Sequence, residues 1–319
     1  MKRLYIVLAS LSGVLCAGAS ASATLILHYN FDQTDSTAHW TDPTQSSPAL
    51  VPDASGNGLN GLFRDGNAHA DANKFVATGG PLGGAWDFDG TDIVEFAYGG
   101  LPASAQDSLT GNSARAVSVW LNPDTFGDRR FFGYAGTGTA GEFLGLTVEQ
   151  DATGAYVGFR RGGGFEIYRP TQSTNPFDVE ELVHVAFVVP DGATLTGDAL
   201  VYVNGMLATR SSNNGSNPTL NTSSLPAGSG TMAANDYIGV GRKGDAAGAG
   251  GGTTPGFDGL IADFQLYDSA LSADEVDYLF DNPGAVIPEP AGWVLTICAL
   301  VFSLRTLRSK CLCRFCDPL

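Results

Sequence analysis

The chain has 319 residues, 43% hydrophobic and 16% charged, with a formal net charge of −16. That charge argues against nucleic acid or anionic lipid as a partner, because a polyanion would be repelled. All 5 cysteines lie at position 16 or beyond position 297, so the stretch between has no disulfide and depends on core burial.

The first element is an export signal. Met1-Lys2-Arg3 is a basic start, Leu4 to Ala17 is an apolar run, and Ala21-Ser22-Ala23 is an A-x-A cleavage site. Together they read as a signal peptide over 1–23. Leu15 is bulkier than lipoprotein processing tolerates before a cysteine, which disfavours a lipid anchor on Cys16.

Short alternating apolar pieces follow, separated by Gly, Pro and Asx turns. Leu25–Phe31 places Leu25, Leu27, Tyr29 and Phe31 on one face, with Asp32 ending the strand. Residues 53–61 are a glycine- and Asx-rich turn. Ala85–Gly90 and Ile93–Phe96 form a hairpin. Strands are predicted at 116–121, 131–134, 143–148, 156–160, 165–168, 182–189, 200–203, 206–209 and 237–240. Asn204-Gly205 is a strong hairpin signal. Residues 211–230 and 244–256 read as long polar or Gly/Ala loops.

The last strand spans 260–267, with Leu260, Ala262, Phe264 and Leu266 predicted on the apolar face and Asp263 on the other. A helix follows. Ser272 and Glu275 fit a capping box, and Leu271 with Val276 fits a hydrophobic staple. Val276, Leu279 and Phe280 share a face, and Asn282-Pro283-Gly284 stops the helix. The pattern as a whole is an all-β sandwich of twelve to fourteen strands with one short C-terminal helix.

The ordered motifs resemble the concanavalin A-like, laminin-G-like jelly-roll domain of bacterial surface proteins. The carriers are Leu27–Asp32, Asp53–Gly61, Trp86–Gly90, Val117–Pro123, Val183–Phe187, Val201–Gly205 and Gly259–Leu279. The resemblance implies a two-sheet antiparallel jelly roll over 24–285, with first and last strands adjacent. Residues 286–319 resemble a PEP-CTERM sorting signal: Pro288-Glu289-Pro290, an apolar segment over 291–304, then a basic cluster with Arg305 and Arg308. That resemblance implies an exosortase-type protease as partner. It implies a cell-surface or extracellular-matrix location in a Gram-negative-type bacterium, with transient or permanent anchoring to the inner membrane. The apolar segment would span about 21 Å as a helix, against roughly 30 Å of hydrocarbon. Nine residues beyond the basic cluster depart from the usual pattern.

Catalytic motifs are weak. No Glu-x-Asp-x-Glu strand offers paired carboxylates at glycosidase spacing. The nearest acidic clusters are Asp87, Asp89, Asp92 and Glu95, and Asp178, Glu180 and Glu181. The histidines at 28, 39, 69 and 184 lack metal-ligand spacing, and Cys311, Cys313 and Cys316 lack a fourth ligand for zinc. One structural Ca²⁺ is the site expected, held by Asp32, Asn57 and Asp263 where the first and last strands meet. Trp40, Tyr98 and Tyr134 are candidate glycan contacts. The expected function is a non-catalytic exported β-sandwich that binds extracellular polysaccharide or mediates adhesion. The alternatives are a structural matrix protein without a specific ligand, and a polysaccharide-degrading enzyme.

Overall fold

Runs of β-branched and aromatic residues between glycine-rich turns form strands throughout. The computed structural model describes residues 23–31, 49–65, 74–97, 109, 113–135, 143–161, 164–171, 178–212, 237–242 and 256–288. In chain order the described strands are β1 (Leu25–Tyr29), β2 (Ala49–Val51), β3 (Gly61–Asp65), β4 (Phe75–Gly80), β5 (Gly83–Asp89), β6 (Asp92–Ala97), β7 (Arg115–Pro123), β8 (Arg129–Ala135) and β9 (Phe143–Asp151). They continue with β10 (Gly154–Arg161), β11 (Gly164–Arg169), β12 (Val183–Val189), β13 (Leu200–Val203), β14 (Met206–Leu207), β15 (Thr209–Ser212), β16 (Tyr237–Val240) and β17 (Asp258–Tyr267). One helix, α1 (Ala273–Asp281), closes the fold.

The strands form two antiparallel sheets. The first runs β14-β13-β12-β7-β17-β5-β4, with β1 also paired to β17; the second runs β15-β11-β10-β9-β8-β16-β6-β3-β2. Val117, Val185 and Ile261 of the first sheet share one buried cluster with Phe63, Val94, Leu146 and Val157 of the second, so the core lies between the sheets. The expected neighbourhood of first and last strands holds: Tyr29 lies opposite Phe264 and Leu27 opposite Leu266.

Alternation in β17 departs from the expectation. The ladder with β7 slips between Ala262 and Gln265, and Asp263 takes a left-handed φ of 47°. An extra residue at a bulge sends the side chains beyond it to the opposite face. Ile261, Phe264 and Leu266 therefore enter the main core. Leu260 and Ala262 instead join Ala85, Trp120, Leu182 and Phe280 on the outer face of the first sheet.

The helix forms as its sequence dictates. The Ser272 side chain accepts from the Glu275 backbone N–H, and the Glu275 side chain accepts from the Ser272 N–H at 2.7 Å. Val276 and Leu279 are buried, and Phe280 stacks on Trp120 with ring centroids 5.7 Å apart. The Asn204-Gly205 turn has φ of 50° and 76°, the two positive values of a type I′ hairpin. The single strand expected after it is two. β14 pairs with β13 in the first sheet and β15 with β11 in the second, the chain changing sheets at Ala208.

Candidate functional site

The junction of β1 and β17 was the expected calcium site. Asp32 lies outside the described residues. Asp263 is not on an exposed face: it retains 4% of its accessible surface. Its Oδ1 is 2.7 Å from His28 Nε2 and accepts from Gln265 Nε2 at 2.8 Å, while Oδ2 accepts from the Gly284 N–H at 2.7 Å. Both oxygens are thus engaged by protein groups, in a donor-rich shell that suits an anion better than a cation. Asn57 turns its amide donors to the carbonyls of Leu25 and Ile26, at 3.0 and 2.8 Å. Asp263 thus has protein donors on both oxygens, and the Asn57 amide nitrogen is committed to β1; no group of three or more His, Cys, Asp or Glu among the described residues has metal-site geometry.

Asp53, not Asn57, organises the turn over 53–61. Its Oδ1 accepts from the backbone N–H groups of His28 and Ser55, at 3.0 and 2.9 Å. Its Oδ2 accepts from Ser55 Oγ and the Leu59 N–H, at 2.7 and 3.0 Å. This is an Asx turn that fastens the loop to β1. The leading Asp of that motif was the signal that pointed to it.

A second histidine lies on the same outer face of the first sheet. His184 is fully buried, with Nε2 2.8 Å from Ser118 Oγ. Burial lowers its imidazole to about 4, against the opposing pull of Asp263. It is a neutral structural group at neutral pH.

The acidic hairpin residues gather at one end of the sandwich. Asp92 is fully buried and bonded to Lys74 Nζ at 2.9 Å, and burial pushes its carboxyl up to about 6. A raised carboxyl is what a general acid needs, but substrate cannot reach this one. Asp89 is held at about 2 by the Thr91 donors and Lys74, in spite of partial burial. Asp124 is raised first by burial and then by the charges of Asp87, Asp258 and Glu180. Asp178, Glu180 and Glu181 are exposed, and the Glu180 N–H donates to the Pro123 carbonyl.

The outer face of the second sheet carries a polar and aromatic group that no sequence motif marked. Val148 and Val157 point into the core, so by alternation Thr147, Glu149, Tyr156, Phe165 and Ile167 face away from it. Glu149 accepts from Thr147 Oγ1 at 2.8 Å and from the Tyr156 hydroxyl at 2.9 Å. The Arg169 guanidinium lies 5.0 Å from the Tyr156 ring centroid, and Phe165 meets that ring edge-on. Gly158 lies between: an ideal Cβ there would be 2.3 Å from Thr147 Oγ1. Of the expected aromatic contacts, Trp40 and Tyr98 lie outside the described residues. Position 134 is in β8, opposite Ile238.

Two antiparallel sheets around one core, closed by a short helix, define a jelly-roll sandwich of the concanavalin A type. The model of the concanavalin A-like lectin/glucanases superfamily, laminin-G type, matches residues 97–277, and the chain belongs to that family. No curated protein matches the sequence. Among solved structures the chain is similar to domain 4 of AbnA, a GH43 extracellular arabinanase from Geobacillus stearothermophilus, in complex with arabinotriose. The identity is 19%, covering 81% of this chain and 98% of that one, with a TM-score of 0.49. It is also similar to Trypanosoma rangeli sialidase in complex with the inhibitor DANA, at 12% identity, covering 84% of this chain and 34% of the sialidase, with a TM-score of 0.46. The binding domain of botulinum neurotoxin serotype D/C matches at 11% identity, covering 81% of this chain and 52% of that one, with a TM-score of 0.44. The chain thus spans about a third of the sialidase and half of the toxin domain.

No described helix is long and apolar enough to cross a membrane. Residues 1–22 of the expected signal peptide, the apolar segment 291–304 and the basic cluster with Arg305 and Arg308 lie outside the described residues, as do Glu289 and Pro290; Ala23, at the end of the expected cleavage site, is described and buried.

Proposed function

We propose that this is an exported, non-catalytic glycan-binding module, carried to the cell surface or extracellular matrix by its sorting tail. The observation that carries the reading is membership of the concanavalin A-like lectin/glucanases superfamily over residues 97–277. Within it the group on the outer face of the second sheet is largely buried, with Glu149, Tyr156 and Phe165 keeping 8%, 6% and 8% of their accessible surface, and Arg169 at its rim is the member that solvent reaches. Tyr156 has its hydroxyl tied to Glu149 and its ring covered by Arg169, beside Phe165. Sugars are bound by apolar ring faces together with fixed polar groups that choose among hydroxyls. Arg169, held by Asp151 and braced over Tyr156, is the polar group of this set that a ligand can meet, with Glu149 and Thr147 fixing Tyr156 beneath it. Family membership supports the same class of ligand. The export signal and a PEP-CTERM-like tail, with an exosortase-type protease as its partner, complete the proposal.

A glycan array probed with the full chain tests it. Binding should appear on a subset of polysaccharides, and Arg169→Ala and Glu149→Gln should each weaken it at least fivefold. No retention on any glycan would reject the function. Unchanged retention by both variants would reject the site alone.

A further inference from the structure

We propose that Asp263 is a latch that pins the C-terminal exit of the domain to the central strand of its first sheet. After α1 the chain turns back over the outer face of that sheet. There the Gly284 N–H donates to Asp263 Oδ2 at 2.7 Å, and the Ala285 carbonyl accepts from Gln265 Nε2 at 2.8 Å. Gln265 also donates to Asp263 Oδ1 at 2.8 Å, and the Tyr267 hydroxyl donates to Gln265 Oε1. His28 Nε2 closes the network from β1. The strand that carries Asp263 and Gln265 is central: β17 pairs with β1, β5 and β7.

Two features show that the arrangement is specific rather than incidental. Asp263 has a left-handed φ of 47°, a conformation a non-glycine residue adopts only when its surroundings require it, and which Asp and Asn tolerate best. The bulge rotates the carboxylate into the layer beneath the exit segment. Gly284 has a φ of 77°, a conformation that L side chains rarely adopt, so a substitution there is strained; the nearest atom to an ideal Cβ, Leu82 Cδ1 at 2.4 Å, belongs to an exposed side chain that can move aside. Asp263 and Gln265 keep 4% and 0% of their accessible surface, so these hydrogen bonds are shielded from water.

The consequence is mechanical. With the latch closed, the exit is held at Gly284 and Ala285, and Ile287 just beyond them is buried. A pull from beyond 288 loads the packing of Ile287 and then the hydrogen bonds at Ala285 and Gly284 before it reaches α1. The anchoring consequence rests on the sorting-tail reading; the latch does not.

Hydrogen exchange on the full chain tests the latch without reference to the tail. In the wild type the Gly284 amide should be protected, and should open at a lower free energy than the amides of 117–121 and 183–189. Asp263→Asn keeps the left-handed backbone but turns an N–H toward one set of donors. It should speed Gly284 exchange at least tenfold while 117–121 and 183–189 keep their rates. Asp263→Gly removes the carboxylate but accepts the same φ, and should do the same. Protection of Gly284 retained in both variants overturns the latch. So does an equal loss across the sheet, which would make Asp263 an ordinary core residue. Should neither variant fold, the wild type decides: a Gly284 amide that is unprotected, or that opens only with the whole sheet, overturns it.

Discussion

Asp92→Asn should expose a pH dependence that the wild type conceals. Asp92 is fully buried, and burial pushes its carboxyl up to about 6 against the pull of Lys74. The unfolded chain releases that proton near pH 4. The folded state therefore holds the proton more tightly, and stability falls as pH rises from about 4 to about 6. His184 acts in the opposite sense. Burial lowers its imidazole to about 4, whereas the unfolded chain protonates near 6.5. Here the unfolded state holds the proton more tightly, so stability rises from about pH 4 to 6.5. At roughly 1.4 kcal/mol per tenfold change in proton affinity, each effect is about 3 kcal/mol, and the two nearly cancel. Asp92→Asn leaves His184 unopposed. Its unfolding free energy should climb by about 3 kcal/mol between pH 4 and 7. At pH 7 it should exceed the wild type by about 3 kcal/mol, because the raised carboxyl of Asp92 already includes the opposing pull of Lys74. Urea denaturation at intervals from pH 4 to 7.5 measures both curves. Parallel curves for variant and wild type would refute the reasoning, because Asp92 would then not be titrating between about pH 4 and 6.

Two further substitutions probe how α1 is held. Ser272→Ala removes the cap and its reciprocal bond, and should cost about 1 kcal/mol in urea denaturation, with the loss of exchange protection confined to the first turn of 273–281. Phe280→Ala removes the ring stacked on Trp120 at 5.7 Å and should destabilise the domain by about 3 kcal/mol. Its tryptophan emission should shift to the red as Trp120 gains water, and an unshifted spectrum would mean that another group covers that indole.

The parts of the fold that were legible in the sequence are those set by local chemistry. Ser272 and Glu275 are three apart, which brings each side chain to the other's backbone, so the helix start could be read directly. Asn204-Gly205 supplies two left-handed positions in a row, and the hairpin follows. What escaped was set by contacts between distant segments. The short strands β2 to β4 lack a run of alternation long enough to stand out, and they are strands because β3 pairs with β6, β2 with β3 and β4 with β5. The 260–267 stretch alternates without a break in sequence, so nothing local announces the bulge that moves Ile261 inward and Leu260 outward. Asp263 was the available signal: a carboxylate within a buried apolar strand must have partners or be expelled. It was read as exposed and metal-binding because the sequence did not reveal that His28, Gln265 and Gly284 converge on it from three segments. A glycine after the helix and an Asp in the last strand gained meaning together only once the chain had been folded back between them. The same reasoning applies to Glu149 and Tyr156, seven residues apart on neighbouring antiparallel strands. The register between β9 and β10 places them side by side, and that register is fixed by the apolar residues on the core face rather than by the two residues themselves.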